Sequence, residues 1–191
     1  MACSKARRMT RASPTSSMIN AAVPMTERTP WRKDFDAVIG LGSNVGEKAK
    51  NIAQAIELLT EPGDIQLVRA SRIYRTAPWG KIDQDWFANA CITVKTELAP
   101  DTLLDRCLGV EQTMKRVRIQ RWGPRVIDVD VLVYRDEVSM DPHLMLPHPR
   151  IMERGFVLVP LADVAPDLII GGRTVTDGLA RVDHSDVVPL E

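Results

Sequence analysis

Two aspartates separated by a single residue lie in an apolar stretch and could hold a metal ion. Asp128 and Asp130 fall within residues 126–134, which the sequence predicts to form a buried strand. Alternate side chains of a strand point to one face, so both carboxylates should project from the same side of the sheet. The opposite face should carry the valines of the same run, Val129, Val131 and Val133.

The pairing of two carboxylates has a chemical cost that suggests what they bind. Two like charges at the edge of a core are unfavourable unless something neutralises them. Mg²⁺ would do so, because it commonly takes one or two protein carboxylates and fills its other positions with water and phosphate. The alternative is an exposed edge strand with solvated aspartates.

Basic residues just ahead of this strand suit the phosphate side of such a site. Arginine binds phosphate through two parallel hydrogen bonds. His148 stands between two prolines and is followed by Arg150 and Arg154, which also favours a phosphate-facing role over a structural one. The upstream cations are Lys115, Arg116, Arg118, Arg121 and Arg125.

The glycine-containing segment 40–46 is similar to a dinucleotide-binding fingerprint only at first sight. Its third glycine comes one residue late, and no second parallel strand with a terminal acid follows. The backbone N–H groups and the Asn44 amide could still bind a polar ligand where the strand passes into a helix. Simple helix capping by Ser43 or Asn44 explains the segment equally well.

Most aromatic side chains fall near loops or at junctions between loops and strands. Flat side chains at loop mouths suit a flat ring stacked between two of them. Core packing is the alternative, and we expect it for Trp86. The aromatic residues in question are Trp79, Trp86, Phe87, Trp122 and Phe156.

The overall composition is that of a globular protein and excludes several classes of function. The chain is 45% hydrophobic and 26% charged, with a formal net charge of zero. Binding of nucleic acid or a membrane through overall charge is therefore not expected. No apolar run approaches the roughly 20 residues of a membrane span. The three cysteines have no metal-binding spacing and fit a reducing compartment, so we predict a cytoplasmic location.

The first 33 residues differ from the rest of the chain. They are rich in Ser, Thr, Arg, Met and Pro and show no sustained periodicity. We predict that residues 1–33 form a disordered N-terminal extension and that residues 34–191 form one domain. An organelle transit peptide is the alternative for the extension.

The order of the predicted elements indicates a fold class. Strands are expected at residues 35–41, 65–75, 87–98 and 126–134, with helices at 47–60 and from Pro100 onward. This is the order of a ferredoxin-like βαββαβ fold of the α+β class. Its antiparallel sheet would carry helices on one face, leaving the other face for a ligand or for C-terminal additions. Residues 76–85 are predicted to form a long loop between strands, and such loops tend to be functional.

Taken together, the motifs from residue 40 to residue 167 resemble the 6-hydroxymethyl-7,8-dihydropterin pyrophosphokinase family of folate biosynthesis. The resemblance is specific because a basic loop with an Asp-x-Asp strand occurs together with Pro-His and Arg-Gly-Phe further on. The matching pieces are Gly-Ser-Asn at 42–44, Tyr-Arg-Thr-Ala-Pro-Trp-Gly at 74–80, Phe-Ala-Asn-Ala at 87–90, Glu111, Arg-Trp-Gly-Pro-Arg-Val-Ile-Asp-Val-Asp at 121–130, Leu-Pro-His-Pro at 146–149 and Arg-Gly-Phe-Val-Leu-Val-Pro-Leu at 154–161.

The resemblance implies an enzyme that transfers pyrophosphate from ATP to the hydroxymethyl group of 6-hydroxymethyl-7,8-dihydropterin and releases AMP. It implies that Asp128 and Asp130 hold two Mg²⁺ ions on the ATP phosphates. It places Arg116, Arg121 and Arg125 in the catalytic set. The implied ATP-binding residues are Glu111, Arg118, Arg125, His148 and Arg154.

The same resemblance implies a pterin pocket. Phe87 and Phe156 would stack on the two faces of the ring, and Trp122 would close over it from the basic loop. The other implied lining residues are Asn44, Thr76, Ala77, Trp79 and Asn89. A monomer acting on small molecules, with no nucleic-acid or membrane partner, is expected.

Two rival functions remain open at this point. A ferredoxin-like sheet with aromatics and a basic loop is also typical of RNA-binding modules. The aromatic RNA-contact motif of that fold is absent here, and the aspartate pair would repel phosphate without metal. A related kinase with a different acceptor alcohol is the second rival.

Overall fold

The computed structural model describes residues 33–78, 85–114 and 125–190. Within these ranges the chain forms four α-helices, ten strands and a short 3-10 helix, Ile151–Glu153. The helices are α1 (Lys48–Thr60), α2 (Pro100–Thr113), α3 (Gly155–Val164) and α4 (Val175–Leu179). The strands are β1 (Ala37–Ser43), β2 (Ile65–Ala70), β3 (Tyr74–Thr76), β4 (Phe87–Thr96), β5 (Asp128–Tyr134), β6 (Ser139–Met140), β7 (Met145–Leu146), β8 (Ile169–Ile170), β9 (Arg173–Thr174) and β10 (Val188–Pro189).

The central sheet is antiparallel throughout. Its strand order is β10-β3-β4-β1-β5, with β2 pairing with β4 beside this path. β4 is buried along nearly its whole length, as expected of a strand covered on both faces. The expectation of an antiparallel sheet combined with helices is therefore confirmed.

One expected strand is divided in two. The sequence predicted a single strand over residues 65–75, but β2 ends at Ala70 and β3 begins at Tyr74. Ser71 explains the break, because its N–H donates to the Cys91 carbonyl (2.9 Å) while its hydroxyl accepts from the Cys91 N–H (3.0 Å). A side chain thus replaces one backbone acceptor of the ladder, and the strand is interrupted.

Helices α1 and α2 cover one face of the sheet. Ile52, Ala55 and Leu59 recur on the inward face of α1, at the spacing that the sequence predicted. They form one core cluster with Leu103 and Cys107 of α2 and with alternate residues of the strands. Burial of each large aliphatic side chain among them, such as Ile52 and Leu59, stabilises the fold by roughly 1.5–3 kcal/mol.

Helix α3 covers the other face, as the expected C-terminal addition. Leu158, Leu161 and Val164 pack there against Val38 of β1 and Cys91 of β4. The chain then returns to the sheet, where β10 pairs with β3 at its edge. Among the residues described, no helix is both long enough and apolar enough to cross a bilayer.

The alternation predicted for the aspartate strand is wrong beyond Val131. Val129 and Val131 lie on the face covered by α1 and α2, as expected. Val133 lies on the α3 face, because the pairing of β1 with β5 shifts register between Val38 and Ile39. The extra residue of this bulge is Leu132, which packs on the α3 side together with Val133.

Candidate active site

Asp128 and Asp130 project from the α3 face of β5, near its beginning. In the pairing with β1 they stand opposite Gly42 and Gly40, while Val129 between them faces the core. Gly42 allows close packing here, since a β-carbon there would lie 3.1 Å from the Asn89 amide oxygen, a tight contact, and 3.8 Å from the Asp128 β-carbon. The Asn89 amide oxygen occupies the space over Gly42, and the Leu132 side chain occupies the space over Gly40.

Arg125 is held against this carboxylate pair by two different contacts. Its guanidinium forms an ion pair with Asp128, three residues on. Its backbone N–H donates to the Asn44 amide oxygen (2.8 Å), and the Asn44 N–H donates to the Arg125 carbonyl (3.1 Å). Among the described residues, the buried Arg125 Nε has no hydrogen-bond partner. A buried donor without a partner is costly, so this guanidinium is suited to receive an anionic ligand.

Asn51 was missed by the sequence reasoning but ties the same loops together. Its amide nitrogen donates to the Val45 carbonyl (2.8 Å), the Val126 carbonyl (3.2 Å) and the Ser43 hydroxyl (3.1 Å). It therefore joins the end of β1 to the segment that leads into β5. A polar residue on the otherwise periodic inner side of α1 was the signal that could have identified it.

A second group of site residues lies on β3 and β4. The Asn89 amide nitrogen donates to the Thr76 hydroxyl (2.8 Å), and both residues are buried. Asn89 pairs with Gly42 across the sheet, and Thr76 pairs with Phe87. The half-buried Phe87 ring has the Arg125 guanidinium 5.8 Å from its centroid. This cation–π contact joins the second group to the carboxylate end of the site.

His148 comes to the site from the loop after β7. The backbone N–H of His148 donates to the carbonyl of Leu132, the bulge residue of β5 (2.8 Å). The Arg150 N–H donates to its Nδ1 (3.4 Å), which leaves Nε2 to carry the proton in the neutral ring. Burial lowers the pKa of His148 below its ordinary value, the Arg154 charge lowers it further, and Asp128 opposes the shift.

Arg154 and Phe156 lie at the start of α3, beside His148. The Arg154 guanidinium is 5.6 Å from the centroid of the Phe156 ring. Burial lowers the pKa of Arg154 from its ordinary value, Arg150 adds to the shift, and Asp130 and Asp128 oppose it. Asp128 and Asp130 thus both act electrostatically on Arg154, and Asp128 also acts on His148.

Glu111 has a structural contact in addition to any role in binding. It is 4% exposed in α2, and its carboxylate accepts the Val129 N–H (2.9 Å). The contact thus satisfies a backbone donor of β5 between the two aspartates. Its implied contact with ATP stays a prediction.

Ala77 follows β3, and its N–H donates to the Asp186 carboxylate (3.3 Å) in the C-terminal segment. The remaining predicted residues lie outside the described ranges: Arg116, Arg118, Arg121, Trp79 and Trp122.

The donor set fits a magnesium ion shared with phosphate better than a metal held by protein alone. Among the residues that the structure describes, no group of three or more His, Cys, Asp or Glu side chains comes together. Asp128 and Asp130 provide two carboxylates on one face, with arginines beside them. Mg²⁺ is held by this number of carboxylates where a substrate phosphate completes its ligands.

Comparison with known proteins identifies the family. The family model described as 7,8-dihydro-6-hydroxymethylpterin-pyrophosphokinase matches residues 38–166, more than half of the chain. A 2-amino-4-hydroxy-6-hydroxymethyldihydropteridine pyrophosphokinase from Methylorubrum extorquens is 52% identical over 155 residues, covering 81% of this chain and 98% of that protein. The protein of the same name from Haemophilus influenzae is 35% identical over 150 residues, covering 78% of this chain and 94% of the Haemophilus protein.

Solved structures agree at the level of the fold. The HPPK-DHPS of Plasmodium falciparum, crystallised with pteroate, superposes with a TM-score of 0.61 at 17% identity. The match covers 77% of this chain and 42% of that one. Some of the residues quoted above for the family resemblance, among them Asp128, Asp130 and Asn89, lie on the α3 face of the sheet. The chain therefore belongs to the 7,8-dihydro-6-hydroxymethylpterin-pyrophosphokinase family.

Proposed function

We propose that this chain transfers the pyrophosphoryl group of ATP to the hydroxymethyl group of 6-hydroxymethyl-7,8-dihydropterin, on the α3 face of β5. The hydroxymethyl oxygen attacks the β-phosphorus, and AMP leaves. The observation that carries the proposal is the placement of Asp128 and Asp130 on one face, with Arg125 paired to Asp128. The family match supports the same reaction.

Asp128 and Asp130 are the proposed ligands of two Mg²⁺ ions. Bound there, the ions supply positive charge at the phosphate oxygens and lower the proton affinity of the attacking hydroxyl. The chain itself provides further positive charge through Arg125, which pairs with Asp128, and through Arg154, while the neutral His148 ring offers an Nε2–H donor. Catalysis by positioning and neutralisation is the usual means of phosphoryl-type transfer.

The nucleotide side of the site extends to residues of which only some are described. Arg116 and Arg121 are proposed to complete the catalytic set, and Arg118 and Glu111 to contact ATP. Arg125 would serve both sets, because it is anchored by its backbone and retains a guanidinium donor. Its loss should therefore affect turnover more than it affects folding.

The pterin is proposed to bind next to Asn89 and Thr76. Beyond their mutual hydrogen bond, the second amide proton of Asn89 could donate to a ring oxygen or nitrogen acceptor, and its amide oxygen could accept from a ring N–H or amino group. Phe87 and Phe156 supply flat faces for stacking, and each already has an arginine near its ring. Asn44, Ala77, Trp79 and Trp122 are the further proposed lining residues.

Finer aspects of the fold and setting are also proposals. The strand order and the helix pair on one face support a ferredoxin-like βαββαβ core within the domain over residues 34–191. The extension predicted for residues 1–33 lies almost entirely outside the described residues. Cys91 and Cys107 are free and buried, which supports a reducing, cytoplasmic setting. A monomer is proposed, and light scattering of the purified chain tests it.

The proposed reaction is tested by following both products. Purified protein with ATP, Mg²⁺ and the dihydropterin should release AMP and the pterin pyrophosphate in equal amounts, and chelation of the metal should stop both. Other heterocyclic alcohols serve as matched acceptors. Release of ADP, or equal rates with unrelated acceptors, would contradict the proposal.

A further inference from the structure

Lys48 is a buried lysine at the first position of α1, outside the site described above. It is 8% exposed, although lysine rarely loses its water without compensation. Its ammonium donates to the Asp85 carboxylate (2.7 Å) and lies 4.1 Å from the centroid of the Trp86 ring. An ion pair and a cation–π contact together replace the hydration that burial removes.

Asp85 links this lysine to the backbone. One of its carboxylate oxygens accepts from Lys48, and the other accepts the Trp86 N–H (2.8 Å). The Lys48 hydrogen bond lowers the pKa of Asp85, which keeps the carboxylate ionised as the pair requires. Lys48, Asp85 and Trp86 therefore contact one another pairwise. Lys48 binds the Asp85 carboxylate and lies over the Trp86 ring, and Asp85 also accepts the Trp86 backbone N–H.

Lys48, Asp85 and Trp86 lie next to Phe87, which belongs to the candidate active site. Trp86 packs on the cluster beneath α1 and α2, and the next residue, Phe87, begins β4 opposite Thr76. The Arg75 guanidinium lies 5.2 Å from the Trp86 ring centroid, so the ring is also in contact with β3. Fixing residues 85 and 86 fixes the backbone from which Phe87 projects.

We propose that Lys48 is a positioning residue for pterin recognition, acting through Asp85 and Trp86 to hold Phe87 in its stacking orientation. The inference rests on the proposed function, because it assigns Phe87 to the pterin. The observed contacts of Lys48 are with Asp85 and Trp86, and it is not among the proposed substrate contacts. Its effect therefore falls on capture of the pterin rather than on the metal and phosphate end of the site.

The test compares Lys48→Met and Asp85→Asn with Lys50→Met. Methionine keeps an apolar stem and removes the charge, and Lys50 is an 80% exposed lysine on the same helix, which makes it a matched control. We expect the KM for the dihydropterin to rise at least about fivefold in Lys48→Met and Asp85→Asn. Affinity for a non-hydrolysable ATP analogue with Mg²⁺ should change by less than about twofold, and Lys50→Met should behave as wild type.

Two further readouts separate positioning from general stability. The double variant Lys48→Met/Asp85→Asn should be no worse than Lys48→Met alone, because both remove one interaction. Hydrogen exchange of the amides at 85–88 should be faster in Lys48→Met than in Lys50→Met. Lys48→Arg, which keeps the charge, should recover most of the pterin affinity.

Several results would overturn the inference while leaving the proposed function intact. These are a pterin KM in Lys48→Met equal to that of Lys50→Met, an equal loss of nucleotide and pterin binding, or unchanged exchange at 85–88. If Lys48→Met does not fold, Asp85→Asn decides the outcome, since Asp85 is 58% exposed. A wild-type chain inactive with the dihydropterin would instead refute the proposed function, and the exchange comparison would still report on the Lys48 contact.

Discussion

Asn44 and Arg125 lie 81 residues apart and bind each other through reciprocal hydrogen bonds. The Asn44 amide oxygen accepts the Arg125 N–H at 2.8 Å, and the Arg125 carbonyl accepts the Asn44 N–H at 3.1 Å. The end of β1 therefore fixes the residue from which the guanidinium reaches Asp128. A side chain implied to line the pterin pocket therefore also positions Arg125, which is proposed to contact phosphate.

Replacing Asn44 by alanine should impair both stability and turnover. The Arg125 N–H would lose its acceptor, at a cost of about 1–3 kcal/mol in the free energy of unfolding. Turnover should fall by at least about tenfold, because a displaced Arg125 guanidinium would stabilise the transition state less well. Urea unfolding and AMP release measure the two effects. Gln112→Ala, on the exposed side of α2, is the control, and wild-type turnover in Asn44→Ala would show that the anchor is dispensable.

Replacing Arg125 by alanine should act mainly on the rate. Loss of one charge-stabilising donor typically lowers turnover by roughly two orders of magnitude or more. The measurement is kcat with both substrates saturating. Arg106→Ala removes an arginine that pairs with Asp64 (2.7 Å), and it serves as a control for loss of positive charge. An unchanged kcat in Arg125→Ala would remove Arg125 from the catalytic set.

Glu111 offers a test between a structural and a nucleotide-binding role. Glu111→Ala leaves the Val129 N–H without its acceptor and should lower the free energy of unfolding by about 1–3 kcal/mol. Glu111→Gln keeps an oxygen acceptor and should lose much less. Chemical denaturation measures the free energy of unfolding, and steady-state kinetics measure the KM for ATP. A KM for ATP that is unchanged in a folded Glu111→Gln variant would contradict the predicted ATP contact.

Local patterns predicted the elements of this fold better than they predicted its irregularities. The periodic apolar residues of α1 predicted residues 47–60 as a helix, and the observed bounds are Lys48–Thr60. The alternation of β5 was correct as far as Val131. The bulge at Leu132 depends on pairing with β1 and on packing under α3, neither of which is visible in a local window. Val133 was therefore assigned to the wrong face.

In the candidate site, too, local patterns revealed some residues, while others depend on contacts with distant parts of the chain. Asp128 and Asp130 were identifiable because carboxylates within an apolar strand are unusual and their spacing fixes a common face. Asn51 and Lys48 were missed, since their importance comes from partners up to 75 and 37 residues away. A polar residue at a helix start looks solvated until the tertiary contact is known.

The most direct test of the account is the turnover of Asp130→Asn. Asp130 is exposed, so the variant should fold, with an unfolding midpoint within about 2 °C of wild type. Asp105→Asn, on the exposed face of α2, is the matched control and should keep full activity. AMP release by Asp130→Asn with saturating ATP, dihydropterin and Mg²⁺ is predicted to fall to background. Release at the rate of Asp105→Asn would contradict the central claim that the aspartate pair of β5 holds the metal for pyrophosphoryl transfer.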